Sequence, residues 1–460
     1  MSTRTPSEER RQRPRRGRRF GLPPLLLLAI YCAIALLPLA LAWARDLQAR
    51  PWRDDLSSGL AMAGFAMLLM EFAISGRFRL VSARIGIDLS MRFHQLIART
   101  LAVFVLLHPW LYTLSVGAAR DGESTGATSL GLAGANAASG WLAWFALLLL
   151  IVWAMFRGSF GYRYEVWRAA HGLCAIAVAG FGLHHALGAG RYSADPALAA
   201  LWIALVAIAL LTMVHVYLLR PLFRIRRPYR VVSIERIADR TWELALEPRA
   251  GDAIAFEAGQ FAWLSVNRSP WSITDHPFSI CSAPGERPRV AFAIKEAGDF
   301  TSTVGRIPPG APAYLDGPHG HLVPSDRSAP GLALIAGSVG LAPIMSILRQ
   351  ARLDRDPRPI RLVYGNRVEA QIMYRDELDA MRAELDLQVH HVLAEPPPGW
   401  DGNTGQLDAV LLGRCLDMPD RARWIYVVCG PAPMIDAVEH SLGQLGIPLS
   451  RILSEKFSYD

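Results

Sequence analysis

A chain of 460 residues is long for one domain and suits two or three. It is 52% hydrophobic, with a mean hydropathy of +0.22 and a net charge of +8. The five cysteines, Cys32, Cys174, Cys281, Cys415 and Cys429, form no CxxC and no close cluster. That argues against a disulfide framework and against a ferredoxin-type iron–sulfur site.

The apolar excess lies in residues 21–220, whereas 228–460 reads as an ordinary soluble α/β sequence. Much of the positive charge sits in an arm, Arg10 to Arg19, and in Arg220, Arg224, Arg226, Arg227 and Arg230 after the last apolar run. Basic blocks flanking apolar segments face the anionic cytoplasmic leaflet, which makes membrane lipid the partner rather than nucleic acid. The run from Gly21 to Ala44 is too long for a signal-peptide core, and no clear A-x-A site follows it.

Six segments are long enough to span a bilayer: Leu22–Ala44, Ser57–Ser75, Phe93–Val116, Gly140–Phe156, Trp167–Ala189 and Pro196–Leu219. The loop after the second carries Arg77, Arg79, Arg84 and Arg92, and the loop after the fourth carries Arg157, Arg163 and Arg168. The other loops balance their charges. By the positive-inside rule both termini are cytoplasmic, in a multi-pass protein of the inner (plasma) membrane.

A histidine is costly inside a span and usually has a partner or a ligand. The third span holds His94 and His108, the fifth His171, His184 and His185. His94 to His108 and His171 to His185 are both 14 positions apart. That separation returns to within about 40° of the same face and moves about 21 Å along the axis. Both helices run outward, so His94 pairs in depth with His171, and His108 with His185. Two levels with one imidazole from each helix is what two stacked bis-histidine haems need. The bland alternative is a set of helix–helix hydrogen bonds. His184 is a reserve candidate if Gly180 and Gly182 distort the helix. His215 reads as a polar contact near the inner surface. Arg99 and Arg168 are either haem-propionate partners or plain interfacial charges.

After the linker Arg226–Tyr229, strand patterns at Tyr229–Ile237, Thr241–Leu246 and Gly259–Val266 predict a small antiparallel barrel. His276-Pro277-Phe278-Ser279 ends that pattern as a strand end able to hold a flat ring. Gly298-Asp299-Phe300-Thr301 precedes a predicted helix start, a place for phosphate or for simple capping. Gly317-Pro318-His319-Gly320 reads as a closing turn. From Gly331 strands and helices alternate. Strand Leu332–Ala336, the turn Gly337-Ser338-Val339-Gly340-Leu341-Ala342-Pro343 and helix Ile344–Arg352 form a dinucleotide-phosphate arrangement, although not a GxGxxG. Strands Ile360–Tyr364, Leu387–Leu393 and Trp424–Cys429 follow, the last ending in Gly430-Pro431. Arg367, after the second of the four, suits a 2′-phosphate or the solvent.

These pieces, in this order, resemble the ferric reductase and NADPH oxidase superfamily over nearly the whole chain. The resemblance implies a basic cytoplasmic arm (1–20), a six-helix transmembrane haem bundle (21–220), an antiparallel β-barrel FAD domain (228–325) and a doubly wound α/β NAD(P)-binding domain (330–460). It implies that His276, Pro277, Phe278 and Ser279 hold the FAD ring, with Gly298, Asp299, Phe300 and Thr301 by its diphosphate. Gly337, Ser338, Val339, Gly340, Leu341, Ala342 and Pro343 take the nicotinamide-dinucleotide pyrophosphate. Cys429, Gly430 and Pro431 lie near the nicotinamide. The tail Glu455-Lys456-Phe457 resembles a terminal E-x-F, which puts Phe457 on the flavin face, and the resemblance implies Phe457, Glu455 and Cys429 as the catalytic residues. Ser338 stands where glycine or alanine is common in the family, and Ala342 where threonine is. The implied cofactors are FAD, two b-type haems and NADPH (or NADH). The implied acceptor is a ferric chelate, or else oxygen reduced to superoxide. A haem-containing sensor or carrier, and a transporter with histidine proton relays, are the readings from other classes.

Overall fold

The computed structural model describes residues 21–45, 52–75, 78–113, 135–159, 164–189, 192, 195–271 and 275–456. Six helices among these are long and apolar enough to cross a membrane: Pro24–Trp43, Trp52–Ser75, Leu89–Leu111, Ala138–Met155, Glu165–Gly188 and Pro196–Ile225. They coincide with the six expected segments. The largest departure is the sixth, which continues past Leu219. Pro221 has no amide hydrogen for the Tyr217 carbonyl, and the helix absorbs this with a π turn at His215–Leu219 before running on to Ile225. The extension brings Arg220 and Arg224 to the soluble half. In the loop after the second span, a short helix Arg79–Ile85 ends at Gly86, whose φ of 83° suits glycine.

The bundle core is built from Ala66, Leu69, Phe72, Leu101, Leu147, Ala179, Leu198 and Trp202. Small residues permit the close contacts. Gly182 faces Phe65 so tightly that an added Cβ would lie 2.7 Å from its ring. The helix Tyr164–Ala189 is continuous, so Gly180 and Gly182 do not distort it.

Six strands form the first soluble sheet: β1 Tyr229–Ala238, β2 Thr241–Pro248, β3 Phe261–Val266, β4 His276–Ser279, β5 Val290–Lys295 and β6 Pro312–His319. They are ordered β4-β3-β6-β1-β2-β5, antiparallel throughout, and curl around Leu244, Leu246, Leu264, Ile280, Phe292 and Ile294. Of the expected turn Gly317–Gly320, Gly317–His319 are instead the end of β6, and Gly320 follows at a φ of 94°. β6 pairs with β3 because Phe261 and His319 lie opposite each other.

The second sheet is parallel, with order β10-β9-β8-β7-β11-β12. Its strands are β7 Leu332–Gly337, β8 Ile360–Asn366, β9 Leu387–Leu393, β10 Asn403–Thr404, β11 Ile425–Cys429 and β12 Ile452–Ser454. Leu332, Leu334 and Ala336 of β7 enter one core, and Ala333 and Ile335 enter the other. Burial on both faces explains why this strand is uninterrupted apolar sequence rather than alternating.

Candidate functional site

The membrane site begins with a proline. Pro109 follows His108 inside the third span and leaves the Val105 carbonyl without its helical donor. Trp144 of the fourth span supplies one, Nε1 to Val105 O at 3.0 Å. The second span then fixes the His108 ring: Nδ1 lies 3.0 Å from both Ser57 Oγ and the Ser57 carbonyl oxygen. Gly140 backs His185, where a Cβ would meet Nδ1 at 2.5 Å. His184 is turned to Ser139, Nδ1 to Oγ 2.9 Å. The unbroken helix thus turns 184 and 185 to different neighbours.

At the level nearer the soluble half His94 and His171 face each other with ring centres 6.5 Å apart and planes at 71°. An iron bound by one imidazole nitrogen on each side, at about 2 Å per bond, spaces the ring centres by about 6 Å. His94 Nδ1 is held by Glu71 at 2.7 Å, which leaves Nε2 for a ligand. His171 Nδ1 is buried and has no hydrogen-bond partner among the described residues. Three or more metal-ligating side chains do not cluster anywhere among those residues. A haem iron needs only two from the protein, and these histidines fit that demand. His215, expected to make a polar contact, stacks on the Phe78 ring with centres 5.3 Å apart.

The helix ends nearest the soluble half meet the barrel through charge. Arg168 Nη1 donates to Asp275 Oδ1 at 3.0 Å. Arg224 Nη2 donates to Asp275 Oδ2 at 3.3 Å and to Asp316 Oδ2 at 2.7 Å, and Arg220 lies 3.5 Å from Asp316. Burial alone pushes the Asp316 carboxyl up, but His319, Arg224 and Arg220 hold it well below the usual carboxylate range. Beside this network Ile87 and Met91 of the membrane half pack on Phe261 and Trp263. Asp275 directly precedes His276, so the cluster grips the start of the expected flavin strand. Sequence reading offered Arg168 a propionate or an interface; here it holds Asp275.

His276–Ser279 is β4, the edge of its sheet, paired through His276↔Leu264 and Ser279↔Phe261. An edge strand keeps one row of backbone groups available for a flat ring. His276 stacks on Phe300 at 4.7 Å and 11°, and Phe278 lies 6.2 Å from Phe300. The segment after Gly298 is a short 3-10 helix, Thr301–Arg306, rather than an α-helix. Thr301 Oγ1 accepts from the amides of Ala297 and Gly298 at 2.8 Å each, which tightens the turn.

The two glycine turns of the parallel sheet pack on each other. A Cβ on Gly340 would lie 2.2 Å from the Cys429 carbonyl oxygen, and one on Gly430 would lie 3.2 Å from the Gly337 nitrogen. The β7 and β11 turns therefore form one surface at the carboxyl ends of the strands, where ligands of such sheets bind. Ser338 sits at φ 51°, and its Oγ accepts Lys295 Nζ from β5 at 2.8 Å. Val339, Leu341, Ala342 and Pro343 complete the turn into the helix Leu341–Asp354. Arg367 is exposed and pairs with Glu395 at 3.2 Å.

β12, unmarked in the sequence pattern, pairs with β11 and delivers Glu455 to a buried position. Its Oε1 lies 3.6 Å from His321 Nδ1. Burial, and then Glu455, push the Cys429 thiol up to about 12. A neutral thiol suits contact with a ring, not nucleophilic attack. Pro431 caps the helix Ala432–Gln444, and Phe457 lies outside the described residues.

A buried hub joins the two soluble sheets. Arg349, on the helix that follows the Gly337–Pro343 turn, makes a two-pronged contact with Glu377 at 2.7 Å per prong. It also donates to the Cys281 carbonyl at 3.0 Å and to Glu243 at 3.3 Å. Tyr374 donates to Glu243 at 2.7 Å. His321, Glu71, Ser57, Asp316 and Arg349 carry no motif, so sequence reasoning had no signal for them beyond a charge in an apolar run at Glu71.

The family model described as the ferric reductase like transmembrane component matches residues 60–182. A second, the oxidoreductase NAD-binding domain, matches residues 334–440. The chain belongs to the ferric reductase and NADPH oxidase superfamily. It is a multi-pass membrane protein whose soluble half is a ferredoxin–NADP reductase-type module for FAD and NAD(P)H. Ferredoxin–NADP reductase B of Sorangium cellulosum is 30% identical over 237 residues, which cover 50% of this chain and 96% of that protein. The reductase component of propane 2-monooxygenase of Mycolicibacterium goodii is 30% identical over 240 residues, 48% of this chain and 67% of that protein. The cytochrome b5 reductase domain of Ulva prolifera nitrate reductase aligns over 50% of this superfamily member and 98% of that domain, at 20% identity and a TM-score of 0.44.

Proposed function

We propose that this oxidoreductase carries electrons from cytoplasmic NAD(P)H through FAD and two b-type haems to an acceptor on the outer side of the plasma membrane. The observation that carries the reading is the facing pair His94 and His171 at 6.5 Å, in a bundle tied by Arg168 and Arg224 to an FAD- and NAD(P)H-type module. Bound FAD supplies the conversion of a two-electron donor into single-electron steps, and haem supplies the relay across the bilayer. The matched membrane family is named for ferric reduction, which favours a ferric chelate as acceptor over oxygen.

The chain's own residues do the rest. His94 with His171, and His108 with His185, hold the two irons. His276, Pro277, Phe278 and Ser279 seat the flavin ring on an open strand edge, with Gly298, Asp299, Phe300 and Thr301 at the diphosphate. The Gly337–Pro343 turn presents the helix start to the nicotinamide-dinucleotide pyrophosphate. Cys429, Gly430 and Pro431 border the nicotinamide, with Glu455 behind Cys429 and Phe457 against the flavin. The domains follow the bounds 21–220, 228–325 and 330–460, with the arm 1–20 and both termini cytoplasmic.

The test is a visible spectrum of the detergent-purified protein, without oxygen, before and after NADPH. A b-type spectrum that becomes reduced is the expected result, and ferric citrate or oxygen added next identifies the acceptor. Haem that neither NADPH nor NADH reduces would point to a sensor or carrier, and a protein without haem would remove the histidine reading.

A further inference from the structure

Behind His94 stands an acid. Glu71, on the second span, is 6% exposed, and its Oε2 lies 2.7 Å from His94 Nδ1. Its other oxygen accepts the Tyr31 hydroxyl at 3.2 Å. The two oxygens thus take different partners, an imidazole on one side and a phenol on the other. A carboxylate in a span is costly, so its place beside one particular histidine calls for a physical account. Behind His108, at the outer level, the groups on Nδ1 are the Ser57 hydroxyl and carbonyl, both neutral.

We propose that Glu71 is a positioning residue that lowers the reduction potential of the iron held by His94 and His171 relative to the one held by His108 and His185. The inference rests on the haem reading above. Two effects act with the same sign. The hydrogen bond keeps the proton on Nδ1 and draws it toward the carboxylate, which makes Nε2 a stronger donor to iron. A fixed negative charge in a low-dielectric bundle also favours the ferric over the ferrous state. Ser57 orients its ring in the same way but adds no charge. The inner site then gives up its electron to the outer site downhill, and the direction of transfer is built into the partners of two histidines.

Spectroelectrochemical titration of the full-length protein reads this directly, with His108→Ala used to assign the inner component. In Glu71→Gln the inner potential rises, by at least a tenfold change in the ferric-to-ferrous ratio at fixed applied potential, about 59 mV for one electron, while the outer one stays. An inner potential that does not move, or an outer one that moves instead, overturns the proposal. Should Glu71→Gln not retain haem, Tyr31→Phe decides. It removes a competing donor from the same carboxylate and lowers the inner potential; a rise or no change overturns the proposal. Wild-type protein without a b-type spectrum sinks the haem reading itself, a result distinct from haem with an unmoved inner potential.

Discussion

The two halves of the molecule hold their buried polar groups in opposite ways. In the membrane half several such groups meet one or two partners across a helix contact: Glu71 with His94 and Tyr31, Ser139 with His184, Trp144 with the Val105 carbonyl. In the soluble half they are pooled, and Arg349 alone joins Glu243, Glu377 and the Cys281 carbonyl. Hydrocarbon has no water to satisfy a spare donor, so each polar side chain must be matched singly and close by. A pooled network instead fixes the angle between two sheets, and losing one member strands the others. The Arg168, Arg220, Arg224, Asp275 and Asp316 cluster stands between, with cations from helix ends meeting acids from the barrel.

The sharpest break of that contrast comes from the singly matched side. In His108→Ala or His185→Ala, about half of the haem absorbance is lost, FAD remains, and NADPH-driven reduction of an outer acceptor falls to background. Unchanged haem content in both variants would remove the ligand assignment. On the pooled side, Arg349→Met takes from buried Glu243 and half-buried Glu377 their shared cation, leaves Glu243 with Arg289, and costs about 1–3 kcal/mol. Differential scanning fluorimetry in detergent should show the soluble transition move while the haem spectrum does not. Gly340→Ala forces a methyl onto the Cys429 carbonyl and costs about 1–3 kcal/mol, with a raised KM for nicotinamide cofactor as its kinetic mark.

Arg224→Ala tests the joint between the halves. Flavin reduction by NADPH, followed in stopped flow, should be unaltered, while onward reduction of haem slows about tenfold, a loss equivalent to about 1.4 kcal/mol. The pH dependence has a fixed sign. Asp316 is depressed in the folded protein, so its contribution is complete above the ordinary carboxylate value of about 3.9 and is lost only as pH falls below it. Flavin-to-haem coupling should hold from neutrality down to about pH 4; a loss between pH 6 and 8 would contradict this. The smallest effect is expected at exposed Arg367, where Arg367→Ala should raise the KM for NADPH about two- to threefold with little change for NADH.

What could be read from the chain alone follows the cost of burial. Six apolar runs, and histidines recurring at a separation that returns to one helix face, stand out because lipid penalises every exception. His276–Ser279, Gly337–Pro343 and Cys429–Pro431 stand out because close backbone contacts tolerate few residue types. The sequence pattern left His184 and His185 open, and the unbroken helix turns one to Ser139 and the other against Gly140. It ended the sixth span at Leu219, where the π turn His215–Leu219 carries the helix past Pro221 to Ile225 and sets Arg224 against Asp275 and Asp316. Glu71, Ser57, Arg349, Glu243 and His321 belong to no local motif, because their partners lie tens of residues away and charge is common on any surface. Local chemistry therefore determined which elements and which contact-limited turns exist. Packing across long separations decided which polar groups stand behind them, since a hydrogen bond depends on ångström distances that no one-dimensional spacing encodes.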